Sequence, residues 1–187
     1  MAGHSKWAQI KRKKGIKDQE KGTVFTKLSK LISLAVSEGA SITDPERNIK
    51  LRLAIDKAKA QNMPKDTIER AIQKGRGLER DALKEVVYEG FGPDGTGFIV
   101  HATTDNSNRT YSEVRHAFDR NGGKIGVPGS LQYMFKIEHT PEFTCTPLFP
   151  VTVKSDKSID DIVVLMSALE MLDDVQQVFT NVEFSGE

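Results

Sequence analysis

At Gly75-Arg76-Gly77 the composition of this chain turns from helix formers to β-formers. From Thr23 to that point hydrophobic residues recur at the three-to-four-residue spacing of a helix. After it the first segments alternate at the two-residue spacing of strands, with two helical stripes among the strands that follow. The switch predicts an α+β protein in two parts: an N-terminal three-helix domain with a basic arm over residues 1–76, then an α/β sandwich-type domain over residues 77–187. A chain of 187 residues is long enough for a sizeable core.

In the first part, Phe25, Leu28, Ile32 and Ala35 form a helical stripe widened by Leu31 and Val36, and Gly39 is the expected stop. A second helix is predicted from about Pro45 to Asn62, with Asp44 as N-cap, Pro45 at the first helical position and Glu46 favouring the dipole. Its apolar stripe is Leu51, Ala54, Ile55 and Ala58, with Lys50 and Lys57 on one flank and Arg52 and Lys59 on the other. A short third helix is expected from Pro64 to Gly75, with Ile68, Ala71 and Ile72 inward. Residues 1–21 have no apolar period and read as an extended or partly helical arm.

In the second part, Glu85–Phe91 and Thr96–Thr103 read as strands joined by the turn Gly92-Pro93-Asp94-Gly95. A helix over Arg109–Asn121 follows, with Tyr111, Val114 and Phe118 inward and Gly122-Gly123 ending it. Leu131–Ile137 is expected as a third strand and Val151–Val153 as a short edge strand. A helix capped by Ser158 or Asp160 carries Ile162, Val163, Met166, Leu169 and Leu172, and Asp174–Phe184 is the final strand. This order predicts a sheet of roughly four strands with two helices on one face. Residues 137–157 are an irregular, proline-interrupted segment.

Charge divides along the same boundary. Residues 1–76 hold 18 Lys/Arg against 8 Asp/Glu, a net of +10, while residues 77–187 hold 9 against 18, a net of −9. The whole-chain charge of +1 is thus two opposite halves. The positive field is densest at Lys6, Lys11, Arg12, Lys13, Lys14 and Lys17, with Trp7 among them. Cations around an aromatic stacking surface point to nucleic acid. Lys50 and Lys57 carry the charge onto the bundle and complete this candidate set. A second candidate contact, Asn108, Arg109 and Arg115, falls at the strand-to-helix junction Asp105-Asn106-Ser107-Asn108-Arg109-Thr110. An arginine in a helix's first turn opposes the dipole, so its placement needs a reason. A capping loop is the plainer reading of that junction. The acidic second domain is a candidate surface for a protein partner.

Other chemistries find little support. Gly90-Phe91-Gly92-Pro93-Asp94-Gly95 has dinucleotide-binding spacing but is followed by a strand, where that motif needs a helix. Gly122-Gly123-Lys124 lacks the P-loop spacing. The histidines at 4, 101, 116 and 139 show no metal-ligand spacing with one another or with Cys145, so no metal or cofactor is expected. The adjacent acids Asp160/Asp161 and Asp173/Asp174 read as dipole partners or solvated loops. No catalytic residues are expected. The longest apolar run, Ile162–Met166, is far short of the roughly 20 residues of a membrane span. The single cysteine fits a reducing compartment, and the expected location is cytoplasmic.

The blocks MAGHSKWAQIK, GTVFTKL, NMPKDTIERAI, YEGFGPDGTG, TDNSNRTYSEVRHAFDRNGGKIG and GSLQYMF, in this order over about residues 1–136, resemble the YebC/PmpR family. Mitochondrial translational activators of cytochrome oxidase belong to the same family. The resemblance resumes weakly at MLDDVQQVFTN. It implies a helical N-terminal domain followed by α/β domains, without an established catalytic site. It further implies a DNA-binding transcriptional regulator or, alternatively, a ribosome-associated translation factor that binds ribosomal RNA. Family members usually carry a further α/β domain between the GSLQYMF-like strand and the last helix. Residues 137–157 alone occupy that position here, so the chain looks like a form without the third domain. A start at the family's own MAGHSKW implies a cytosolic, bacterial-type protein.

Overall fold

In the computed structural model of the chain, residues 21–77, 82–139 and 141–184 are described. The first part holds helices α1 (Lys21–Glu38), α2 (Ile49–Ala60) and α3 (Lys65–Arg76). Leu28, Ile32, Ala35 and Val36 of α1 close on Leu51, Ala54, Ile55 and Ala58 of α2 and on Ile68 and Ala71 of α3. Among the described residues no helix is long and apolar enough to cross a membrane.

In the bundle the start of α2 and the end of α3 differ from the sequence expectation, each for a local reason. α2 starts at Ile49 and not at Pro45, because Asn48 is the N-cap. The Asn48 Oδ1 accepts from Leu51 N–H at 3.1 Å while its amide donates to Ala35 O at 2.8 Å, tying the start of α2 to the end of α1. Asp44 instead closes a turn by accepting from Glu46 N–H at 3.0 Å. The left-handed residues after α1 are Ala40 (φ 54°) and Ser41 (φ 62°). α1 ends at Glu38, directly before the expected stop Gly39, where a Cβ would lie 2.2 Å from the Asn48 amide. Gly75 is not the stop of α3 but lies inside it, where a Cβ would lie 2.6 Å from Ser33 O. α1 and α3 therefore touch backbone to backbone, and the Ser33 hydroxyl donates to Ala71 O at 2.8 Å.

The second part is built on a four-stranded sheet in the order β3-β1-β2-β7. Its strands are β1 (Lys84–Phe91), β2 (Gly97–Thr104), β3 (Lys124–Ile125) and β7 (Val175–Thr180), and every neighbouring pair is antiparallel. Helices α4 (Ser107–Arg120) and α5 (Asp156–Glu170) cover one face. There Phe98 and Val100 pack with Val114, Phe118, Ile162 and Leu165, the two phenyl rings meeting edge to face at 6.0 Å. All eight residues of β2 are buried, so both faces of the sheet are covered. Ile99 on the opposite face packs with Leu131, Phe135, Phe143 and Cys145.

That second cover replaces the expected third strand. Leu131–Ile137 does not join the main sheet: Gln132–Met134 is a 3-10 turn, and β4 (Phe135–Glu138) pairs with β5 (Thr144–Pro147) as a separate ribbon. The Glu89 carboxylate, pointing to this face from β1, accepts from Gly129 N–H at 2.7 Å and Leu131 N–H at 2.5 Å and bends the chain over the sheet. The expected edge strand forms as β6 (Val151–Val153), parallel to β8 (Val182–Phe184). The final strand is broken at Asn181, which accepts from Gly97 N–H and donates to Phe149 O. The α5 cap is Ser155, upstream of both expected residues. Tyr111 is exposed, tilted against Tyr88 at 6.2 Å and not inward.

Candidate nucleic-acid interface

Of the sequence-predicted contacts, Lys6, Trp7, Lys11, Arg12, Lys13, Lys14 and Lys17 lie outside the described residues. The rest separate into two places that the fold does not bring together. Lys50 and Lys57 stand on the flank of α2 that faces the sheet domain. Lys50 pairs with Glu38 at 2.8 Å and Lys57 with Glu142 at 3.1 Å. Both remain partly open to solvent, but each charge already has a counterion.

Asn108, Arg109 and Arg115 lie on α4. Asn106 is the N-cap, its Oδ1 accepting from Arg109 N–H at 3.1 Å. The Arg109 guanidinium reaches Asp105 and Asp174, each at 2.8 Å through Nη2. This answers the dipole objection, because two carboxylates hold the cation at the helix start. They also raise the guanidinium pKa above its ordinary value, Asp174 more than Asp105. Asn108 is exposed, and Arg115 is exposed with Asp119 at 3.5 Å.

The residue that sequence reasoning missed is Asp174. It is 2% exposed and collects Lys30, Arg109, Thr104 Oγ1 at 3.1 Å and Thr110 Oγ1 at 2.6 Å. Burial alone would raise its pKa. The hydrogen bonds from Lys30, Thr110 and Arg109 outweigh burial and hold it well below the usual carboxylate range. An adjacent acid pair after a helix carries no mark of this in the sequence, because the donors come from three distant segments.

Two lysines of the basic half also turn inward. Lys27 is buried and donates to Glu170 O at the end of α5, where the helix dipole favours a cation. Lys30 binds Asp174. The opposite charges of the two halves thus partly serve to hold the halves together. The remaining cations of the bundle differ. Arg47, Lys59, Arg70, Lys74 and Arg76 are exposed and make no ion pair among the described residues.

Burial pushes the Cys145 thiol up to about 12, far from a reactive thiolate. Among the described residues no group of three or more His, Cys, Asp or Glu is placed to hold a metal ion.

Comparison with known proteins agrees with this architecture. Residues 5–78 match the TACO1/YebC protein N-terminal domain, and residues 83–140 match the TACO1/YebC second and third domain. A "probable transcriptional regulatory protein" of Caldanaerobacter subterraneus is 57% identical over 136 residues, which are 72% of this chain and 55% of the relative. One of Thermoanaerobacter pseudethanolicus is 49% identical over 171 residues, 91% of this chain and 65% of the relative. The chain therefore spans between about half and two thirds of the length of these relatives. The crystal structure of a conserved hypothetical protein from Aquifex aeolicus superposes with a TM-score of 0.81 at 33% identity, covering 91% of this chain and 93% of that one.

Proposed function

The chain belongs to the TACO1/YebC family, and on that premise we propose that it is a non-enzymatic, DNA-binding transcriptional regulator of YebC type. The observation that carries this reading is the division among the cations. Lys27, Lys30, Lys50 and Lys57 are held by groups of the protein itself, whereas Arg47, Lys59, Arg70, Lys74 and Arg76 stand exposed on the bundle without an ion pair among the described residues. Cations without internal counterions keep their full field for an external polyanion. The arm, whose sequence carries Lys6, Trp7, Lys11, Arg12, Lys13, Lys14 and Lys17 ahead of α1, supplies the larger share of phosphate contacts. Lys50 and Lys57 are secondary contributors, because Glu38 and Glu142 already balance them.

On α4, Arg109 is 45% exposed, and Asp174 and Asp105 both bond its Nη2. Its remaining donors, with Asn108 and Arg115, form the second contact. The acidic second domain, held to the bundle through Asp174 and Glu142, orients the basic surface and leaves its other acids for a protein partner.

A salt titration of binding to duplex DNA tests the reading. With about six phosphate contacts, log affinity falls with log salt at a slope of roughly −5. A slope near zero overturns it. A far tighter association with ribosomal RNA at equal salt moves the target from DNA to RNA.

A further inference from the structure

The apolar spacing of α4 predicts Tyr111 inward, and the fold leaves it 43% exposed. The ring is nevertheless held in place. Tyr88 of β1 is buried and donates its hydroxyl to Ser107 O at 3.2 Å, at the start of the same helix. It meets the Tyr111 ring at 6.2 Å with the planes tilted by 53°, a separation at which aromatic pairs attract. Tyr111 is thus an aromatic surface supported on one side by the protein and open on the other.

Its neighbours along the helix are polar. Asn108 one turn before it and Arg115 one turn after it share its side of α4, and both are exposed. Asn108 uses its backbone carbonyl to accept from the Ser112 hydroxyl at 2.9 Å, and its side-chain amide stays open among the described residues. Arg115 meets Asp119 through Nε at 3.5 Å, which leaves both of its Nη groups open among the described residues.

α4 also departs from the charge of its half. It carries Arg109, Arg115 and Arg120 against Glu113 and Asp119. α5 carries Lys157 against Asp156, Asp160, Asp161 and Glu170. Within a domain of net charge −9, α4 is a strip of arginines around an exposed ring. Duplex phosphates would use the arginines and leave the ring idle, because paired bases are already stacked on one another. An unpaired base has a free face, stacks on aromatic side chains, and brings with it a phosphate for an arginine.

We propose that the outer face of α4 binds an unpaired nucleobase, which stacks on Tyr111 while the Asn108 amide bonds its edge and Arg115 takes the adjoining phosphate. This rests on the nucleic-acid reading and names what the second contact takes. The arm and the bundle hold phosphates of any nucleic acid, whereas α4 selects a strand whose bases are exposed.

The test titrates the full chain with oligothymidylate, oligouridylate and a DNA duplex of equal length. Affinity is read at several salt concentrations, and the Tyr111 ring protons are followed by NMR. Single strands should shift those protons upfield and the duplex should leave them in place, with the tighter of the two strands identifying DNA or RNA as the source of the base. Tyr111→Leu should weaken single-strand binding about tenfold without changing the salt slope, because stacking releases no counterions. Tyr111→Phe keeps the ring and should bind within about twofold of the unmodified protein. Arg115→Gln should lower the single-strand slope by about 0.7. Amide spectra check that each variant is folded. The inference is overturned if neither strand moves the Tyr111 ring, if Tyr111→Phe loses as much as Tyr111→Leu, or if Tyr111→Leu weakens the duplex equally. Steep salt dependence with the duplex would then leave the DNA-binding reading standing. Tyr111-dependent binding of a single strand by a protein indifferent to the duplex would uphold this site and overturn that reading.

Discussion

Lys30 of α1 and Asp174 ahead of β7 form an ion pair across the junction of the two halves, with the carboxylate 2% and the ammonium side chain 21% exposed. The same carboxylate orients Arg109 and binds two threonine hydroxyls, so one side chain connects α1, β2 and α4. Its donors are unequal in what they lose when it is gone. Lys30 can turn to water, whereas Thr110 is fully buried and cannot.

Asp174→Asn leaves Lys30 without its counterion and Arg109 with Asp105 alone, and should destabilise the protein by about 3 kcal/mol. Lys30→Ala leaves Asp174 with Arg109 and both threonines, and should cost about 1 kcal/mol. Urea denaturation measures both. A Lys30→Ala loss equal to that of Asp174→Asn would show that the carboxylate matters only through Lys30.

Acid should expose the same group. The folded Asp174 carboxyl is depressed, so its stabilisation is complete above the unfolded value of about 3.9 and is lost as pH falls below it. Glu85 is also depressed and adds a loss with the same sign. Stability measured between pH 6 and about 3 should therefore fall, and Asp174→Asn should flatten part of that fall. An unchanged slope in the variant would count against the assignment.

Much of this fold is readable from apolar spacing. Leu28, Ile32, Leu51 and Ile68 mark their own inward faces, and Val86, Val87 and Tyr88 alternate as a two-sided strand must. What resists reading is any feature whose partner is distant. Asp44-Pro45-Glu46 has better local cap chemistry than Asn48, yet Asn48 wins because its amide also reaches Ala35 O. Leu131–Ile137 has a strand's composition, but the strand next to β1 is the two-residue β3, and Glu89 draws the following chain over the opposite face. The candidate site divides in the same way. Positive charge is visible in sequence, but Arg70 and Lys57 look alike there. Only the fold shows that Lys57 faces Glu142 while Arg70 faces solvent.

Gly75 should tolerate no side chain. Alanine is favoured over glycine in a helix by about 1 kcal/mol, but its Cβ would lie 2.6 Å from Ser33 O and 2.8 Å from Ser33 Cα. Both are backbone atoms and can yield only if α1 and α3 separate. Gly75→Ala should lower stability by about 2 kcal/mol. At Gly77 the nearest atom is 3.8 Å away, and Gly77→Ala should be close to neutral. Equal effects of the two substitutions would remove the close-approach argument.

The division of the cations predicts which of them a nucleic acid feels. Arg70 and Lys74 are one turn apart on α3, exposed, and without an ion pair among the described residues. Neutralising one phosphate-binding cation lowers the steepness of the salt dependence by about one. Arg70→Gln with Lys74→Gln should therefore weaken DNA binding and reduce the slope by about two, with little change in stability because neither residue supports the core. Lys50→Gln with Lys57→Gln removes two charges from the same bundle and also releases Glu38 and Glu142. It should change the slope by less than about one while loosening the contact to Glu142. If the two double variants alter the salt slope equally, the internal pairs do not withhold Lys50 and Lys57 from DNA, and net charge alone sets the affinity.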